Sequence, residues 1–211
     1  MRYGGLPVLF HMEKSDEVVF QYIKSIYDTV LLKDVVGRNN IRNIALLEKL
    51  SKFLFDNIGN LLSANNISKF LKSEKIKVYP DTIQNYLGYF TSANIAHKVE
   101  RFDIKGKKLL SINEKYYLND IGLRHALLGY KPNDIGQLLE NIVYLELRAR
   151  GYTVTVGVFG EHEIDFIATK NDERMYIQVA YLLASEETIK REFQSLLKIK
   201  DNYPKIVLSM D

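Results

Sequence analysis

The chain has 211 residues, of which 46% are hydrophobic and 26% charged, and its formal net charge is +3. These values are typical of one large or two small globular domains, and the charge alone does not identify a nucleic-acid binder. The chain contains no cysteine, which excludes disulfides and thiolate metal sites, and it has no run of eighteen apolar residues. We therefore expect a cytoplasmic protein that makes no membrane contact.

The first segment, residues 1–43, contains one predicted amphipathic helix. A turn-forming cluster, Tyr-Gly-Gly-Leu-Pro, occupies residues 3–7. From Ser15 to Asp34 the apolar residues recur with the helical spacing i, i+3, i+4, i+7, and Ser15 is placed to cap the helix. One helix is too small to form a core, so we interpret this segment as a remnant of a preceding module or a brace on the next one.

The second segment, residues 44–130, predicts three short helices followed by a hairpin. The helices are expected over 45–58, 63–73 and 81–93, with Asp81 as a cap, and the strands over 95–103 and 108–118. This order is typical of a winged helix-turn-helix, in which residues 81–93 form the recognition helix. Gln84 and Asn85 on that helix are candidate nucleic-acid contacts.

The hairpin is basic. Between His97 and Leu118, three acids stand against six bases, which are Lys98, Arg101, Lys105, Lys107, Lys108 and Lys115. Basic residues at a wing contact phosphates, so Lys98, Arg101, Lys105, Lys107 and Lys108 are predicted to bind nucleic acid. Two other interpretations stay open: lysines also keep an exposed hairpin soluble, and winged helices also bind proteins.

The third segment, residues 131–211, predicts an α/β domain with a mixed sheet, so the whole chain is of the α/β (α+β) class. Gly129 and Pro132 mark the boundary before it. The expected order is helix 135–150, strands 152–159, 163–169 and 175–181, helix 185–199, and strand 206–210. Gly151 is predicted to end the first of these helices.

Carboxylates in this segment form a candidate metal site. Glu163 and Asp165 are two residues apart on a predicted strand, so their side chains point to the same face. Glu140 on the preceding helix and Gln178 on the next strand add further oxygens. Such a set suits Mg²⁺, which activates water in phosphodiester cleavage, and Asp165, Glu140 and Glu163 are the candidate ligands. The alternative is that Glu163 and Asp165 are solvated residues at a sheet edge.

The third segment resembles the restriction-endonuclease-like (PD-(D/E)XK) fold. That motif places an acid on the second strand, here Asp165, and an acid-x-Lys on the third, here the residues 178–180, Gln-Val-Ala. The whole chain is similar to the C-terminal part of a large family of prokaryotic AAA-type ATPases. The sequences that carry this similarity lie at residues 3–7 (YGGLP), 26–35 (IYDTVLLKDV), 103–107 (DIKGK) and 138–141 (LLEN).

The chain departs from these families at two points. It has no G-x-x-x-x-G-K-[ST] phosphate loop, so the resemblance implies a tail detached from its ATPase domain, which does not bind ATP alone. Ala180 stands at the third-strand position where the motif has its lysine, and Gln178 stands where it has the preceding acid. Because that lysine orients the attacking water, a catalytic set of Glu140, Asp165 and Gln178 would be degenerate. Lys170 or Lys190 is a candidate replacement.

The first functional hypothesis is therefore a nucleic-acid-binding or partner-binding region of an AAA-type ATPase that does not cut. Its expected partners are DNA and an ATPase domain or a separate ATPase chain. A Mg²⁺-dependent DNA nuclease is the second hypothesis, and a regulatory tail that binds only protein is the third.

Overall fold

A computed structural model describes residues 2–12 and 15–211 of the chain. Within them it has seven α-helices and a six-stranded mixed sheet, which confirms the predicted mixed α/β class. The chain divides into two compact units. Unit 1 contains the described residues up to Lys98 together with Tyr116–Lys131, and unit 2 contains Val99–Lys115 together with Pro132–Asp211.

Unit 1 is mainly helical. Its helices are α1 Asp16–Val30, α2 Ile44–Asp56, α3 Ala64–Ser73, α4 Pro80–Ser92 and α5 Ile121–Leu128. A 3-10 turn, Pro7–Phe10, precedes α1, and a π-helical segment, Leu31–Gly37, continues it. Ser15 caps α1 as predicted, because its side chain accepts a hydrogen bond from the backbone N–H of Val18. None of the helices in the described ranges is long and apolar enough to cross a membrane.

One detail of unit 1 differs from the expectations. Asp81 is not a helix cap: Tyr79 holds the N-cap position of α4 without a side-chain bond, because Pro80 takes the first helical position. The N-terminal segment belongs to the core of unit 1. Val19 and Ile23 of α1 are buried in one apolar cluster with Leu9, against which Leu123 of α5 packs.

A buried aspartate ties the N-terminal turn to the start of α5. The carboxylate of Asp120 accepts hydrogen bonds from the backbone N–H of Gly5 at 2.7 Å and of Gly122 at 2.6 Å. Gly4 has a positive φ of 78°, and a Cβ at this position would lie 1.9 Å from Oδ1 of Asp120. Gly4 is therefore required by its backbone conformation and by the closeness of this carboxylate.

Unit 2 is built on the sheet. The strands are β1 Ala96–Asp103, β2 Lys108–Leu118, β3 Thr153–Phe159, β4 His162–Lys170, β5 Glu173–Val179 and β6 Lys205–Leu208. They lie in the order β2-β1-β3-β4-β5-β6. The pairs β1–β3 and β5–β6 are parallel, and β3–β4 and β4–β5 are antiparallel. Two helices, α6 Ile135–Ala149 and α7 Glu186–Leu197, complete the unit.

The predicted hairpin contributes to this sheet. In β1, Arg101 is in register with Val156 of β3, and Asp103 is in register with Val158. Residues 99–115 consequently group with unit 2, whereas the sequence assigned the whole hairpin to the segment 44–130. Local alternation predicts a strand, but it does not indicate which distant strand will pair with it.

We expect Gly4→Ala to lower the free energy of unfolding by roughly 2–4 kcal/mol, because it adds a strained backbone and an overlap with Asp120. Urea unfolding followed by circular dichroism measures this change. Gly88→Ala is the matched control, since Gly88 lies within α4 and a Cβ there meets no atom within 4 Å. Equal stability of the two variants would contradict the role of the Gly4 turn.

Candidate functional site

The predicted acid Asp165 lies in the buried middle of β4. Residues 164–168 are all buried, and Asp165 is 9% exposed. Its Oδ2 accepts a hydrogen bond from the backbone N–H of Val179 at 2.8 Å, and its own N–H donates to Oε1 of Gln178 at 3.3 Å. The structure therefore brings Asp165 and Gln178 together, as the sequence predicted, but both are engaged in cross-strand hydrogen bonds.

A lysine from β2 occupies the centre of the predicted site. Lys115 is 4% exposed, and its Nζ lies 2.9 Å from Oε1 of Glu140 and 2.7 Å from Oε1 of Glu163. Glu140 comes from α6, and Glu163 and Asp165 come from β4. We call these four residues, Lys115, Glu140, Glu163 and Asp165, the ion-pair cluster; all four belong to unit 2.

Burial and charge set the protonation states in the cluster. Burial alone would lower the pKa of Lys115, but the charges of Glu140, Glu163 and Asp165, with the hydrogen bond to Glu163, together outweigh burial, and the pKa is raised. Burial and then the charge of Glu140 raise the pKa of Asp165 to about 7, although Lys115 opposes this shift. At neutral pH Lys115 is therefore charged, while Asp165 is partly protonated.

The donor set does not fit a divalent metal in this arrangement. No group of three or more His, Asp or Glu side chains within residues 2–12 and 15–211 has the spacing that a metal ion needs. The carboxylates of Glu140 and Glu163 both face the ammonium group of Lys115. A cation already pairs with them, and the predicted metal ligands Asp165, Glu140 and Glu163 all interact with it here.

From the sequence, Lys115 is one of the six bases of the predicted hairpin, and its contact with Glu140 and Glu163 is not predicted. A local signal existed, because Lys115 directly precedes Tyr116, Tyr117 and Leu118, which are all buried. A lysine that directly precedes such a buried apolar segment is itself expected to be buried and paired with an acidic side chain. The identity of that partner depends on the pairing of distant strands, which the sequence did not indicate.

Neither Ala180, at the third-strand position, nor the candidate replacements Lys170 and Lys190 contribute to the ion-pair cluster. Ala180 is buried, and its backbone N–H donates to the carbonyl of Leu208 at 2.9 Å. Lys170 donates to the carbonyl of Arg150, and Lys190 faces Glu186 on the surface of α7. Lys115 is therefore the lysine that the structure places in the cluster.

The predicted nucleic-acid contacts fall into two sets. In unit 2, Lys105, Lys107 and Lys108 are exposed at the hairpin turn, which we call the lysine tip, whereas Arg101 is only half-exposed on β1. The second set lies in unit 1, where three predicted contacts are exposed: Gln84 and Asn85 of α4, and Lys98 of β1.

Residues 1–134 match the family model described as a domain of unknown function (DUF8612), and the chain belongs to this family. The match ends one residue before α6 begins, so it includes Lys115 but not the three carboxylates of the cluster.

Two curated relatives resemble nearly the whole chain. A protein of Haemophilus influenzae is 40% identical over 209 residues, which are 99% of this chain and 51% of that protein. A protein of Methanocaldococcus jannaschii is 31% identical over 206 residues, 95% of this chain and 45% of that protein. Both are described as uncharacterized proteins, and this chain spans about half their length. No solved structure matches the chain.

We expect Asp165→Asn to flatten the pH dependence of stability. The folded-state pKa, about 7, lies above the unfolded value of about 3.9, so the folded chain keeps a proton that the unfolded chain has released. The free energy of unfolding therefore falls as the pH rises from about 4 to about 7. Asparagine carries no charge, so at pH 8 the variant should be more stable than the unchanged chain by roughly 2–4 kcal/mol.

Urea unfolding at pH 5 and pH 8 measures this difference. Asp172→Asn is the matched control, because Asp172 is exposed in the turn between β4 and β5. If Asp165→Asn and the unchanged chain lost the same free energy of unfolding between the two pH values, the raised pKa would be refuted.

Proposed function

We propose that this chain is the nucleic-acid-binding region of a larger protein of the AAA-type ATPase class, and that its nuclease-like unit binds without cutting. The observation that carries the proposal is the lysine tip, in which Lys105, Lys107 and Lys108 are all exposed within four residues. Three exposed cations at a turn bind phosphates by releasing condensed counterions, independently of base sequence.

Local contacts of the tip support this role. Oδ1 of Asp103 accepts a hydrogen bond from the backbone N–H of Lys105, so the nearest carboxylate is used to hold the turn. A Cβ on Gly106 would lie 2.5 Å from Oδ2 of Asp103, which favours glycine at this position. The ammonium group of Lys105 lies 4.6 Å from the ring centre of Phe159, and this cation–π contact orients it while it stays exposed.

The ion-pair cluster supports binding without cleavage. One lysine faces two carboxylates, Glu140 and Glu163, so the cluster keeps a negative charge whether or not Asp165 is protonated, and it does not attract phosphate. Metal-dependent cleavage would need these carboxylates to release Lys115 and bind a metal ion instead. Separating a buried lysine from its carboxylates is costly.

The ATPase part of the proposal rests on the sequence resemblance and on length. The chain lacks a phosphate loop, and the curated relatives are about twice as long as the region they share with it. A phosphate loop elsewhere in such a longer protein, or in a separate chain, would supply ATP hydrolysis. This region would then link that activity to nucleic acid.

We expect the lysine tip to dominate duplex binding. Replacing Lys105, Lys107 and Lys108 by Ala should weaken binding to a labelled 20-base-pair duplex by about tenfold or more at low salt, because up to three phosphate contacts are lost. The slope of log K against log salt should fall by about 0.9 for each lost contact. Fluorescence anisotropy at several salt concentrations measures both values.

The control replaces Lys190, Lys198 and Lys200, which are exposed on or just after α7, so the change in net charge is the same. Equal weakening by both triple variants would indicate a general charge effect and reject the tip. A chain that binds no duplex at any salt, but retains a separate ATPase chain in a pull-down assay, would favour the protein-only hypothesis instead.

The same preparation decides between binding and cleavage. Plasmid DNA incubated with the chain and Mg²⁺ or Mn²⁺ should stay intact. Cleavage that is lost in Asp165→Ala would establish the nuclease hypothesis and overturn this proposal. Cleavage that persists in Asp165→Ala would indicate a contaminating enzyme.

We expect Lys115→Ala to destabilise the chain by about 3–5 kcal/mol at pH 8, because it leaves the buried Asp165 and the partly buried Glu140 and Glu163 without a cation. Millimolar Mn²⁺ should recover part of the loss in the variant but not stabilise the unchanged chain, since removal of the ammonium group frees the carboxylates for metal binding. Thermal unfolding with and without Mn²⁺ measures both effects. The exposed Lys170→Ala serves as control, and a variant as stable as that control would contradict the cluster's role.

A further inference from the structure

Unit 1 contains an open cleft that the proposed function does not use. It has a volume of about 630 Å³ and is formed by α2, α3 and the end of α5 with the residues that follow. Charged and aromatic side chains dominate its wall, which consists of Lys49, Lys52, Phe53, Asp56, Asn57, Phe70, Leu128 and Lys131. A volume of this size is typical of sites for small organic groups.

One face of α2 supplies half of this wall. Lys49, Lys52, Phe53 and Asp56 follow the spacing i, i+3, i+4, i+7, which places their side chains on one side of the helix. Leu47, Leu50 and Leu54 belong to the buried core. The helix therefore holds the cleft residues on a fixed backbone.

Two phenylalanine rings line the cleft. The ring centres of Phe53 and Phe70 lie 4.9 Å apart, with an angle of 42° between their planes. Phe70 is 44% exposed, although phenylalanine is usually buried. An exposed aromatic ring held beside a second ring provides a stacking surface for a flat aromatic group.

Positive charge surrounds the rings. Lys52 is exposed, Nζ of Lys131 lies 2.8 Å from Oδ1 of Asp56, and Nζ of Lys49 lies 3.6 Å from Oε2 of Glu74. Ion pairs between such exposed side chains are weak, so these lysines exchange a carboxylate for a phosphate readily. Three lysines stand against one aspartate in the lining.

We propose that this cleft binds an unpaired nucleotide, with the base stacked on Phe70 and its phosphate bound by Lys52 and the neighbouring lysines. Stacking on an aromatic side chain combined with phosphate contact is how proteins bind single strands without sequence preference. A duplex does not satisfy the cleft, because its bases are stacked within the helix. An acidic peptide would satisfy the lysines, but its carboxylates would leave the ring face of Phe70 uncovered.

A labelled ten-residue thymidine oligonucleotide is the probe, and anisotropy is the readout. Phe70→Ala should weaken binding about tenfold or more, and Phe70→Leu should weaken it nearly as much while preserving an apolar side chain for folding. Lys52→Ala should lower the slope of log K against log salt by about 0.7, the value for one phosphate of a single strand. Circular dichroism confirms that each variant is folded.

Matched controls are Phe193→Ala, which removes a phenylalanine 37% exposed on α7, and Lys24→Ala, which removes an exposed lysine of α1. Both should bind the oligonucleotide like the unchanged chain. Phe70→Ala should weaken oligonucleotide binding by the same factor when it is added to the triple variant of the lysine tip. Failure of the tip proposal and failure of this one are therefore distinguishable.

Competition distinguishes the sources of the ligand. Displacement of the oligonucleotide by ATP at equal phosphate concentration would assign the cleft to a free nucleotide, and no displacement would assign it to a strand; both support the proposed chemistry. The proposal is overturned if the unchanged chain does not bind the oligonucleotide, if Phe70→Ala and Phe70→Leu bind it unchanged, or if an acidic peptide of equal charge displaces it.

Discussion

The buried ammonium group of Lys115 is the constraint on which unit 2 depends. A lysine with 4% of its surface exposed is stable only beside carboxylates, and here Glu140 and Glu163 lie 2.9 and 2.7 Å from it. These partners come from α6 and β4, so one charge fixes the positions of three elements. The third carboxylate, Asp165, is partly protonated at neutral pH, since burial raises its pKa to about 7.

This constraint separates two roles of positive charge within unit 2. Lys115 lies inside and is satisfied by its own chain, whereas Lys105, Lys107 and Lys108 at the tip are exposed. Only the exposed set has free energy to gain from phosphate, because counterion release requires a cation that is in contact with water. Total charge in the hairpin therefore overcounts the cations that are accessible to a phosphate, and the burial of each lysine determines which of them are accessible.

The elements of the fold were predictable from sequence to a greater extent than their arrangement. Apolar spacing and the Ser15 cap predicted α1, and alternation predicted β4, because both depend on neighbours along the chain. The parallel pairing of Arg101 with Val156 depends on residues far apart, and no local pattern specifies it. For the same reason Glu140, Asp165 and Gln178 were identified as candidates, while the cation among the acids, Lys115, was assigned to another surface.

Unit 2 is also discontinuous along the chain, since Val99–Lys115 precedes Pro132–Asp211 with the end of unit 1 between them. During synthesis the hairpin leaves the ribosome first, and the edge of β1 that will pair with β3 stays open until β3 has been made. An open strand edge can pair with other chains, so the chain is exposed to aggregation during this interval. A gene fragment that began at Pro132 would encode the three carboxylates without Lys115. Transfer of unit 2 to another protein would therefore require two separate segments of the gene, one for Val99–Lys115 and one for Pro132–Asp211.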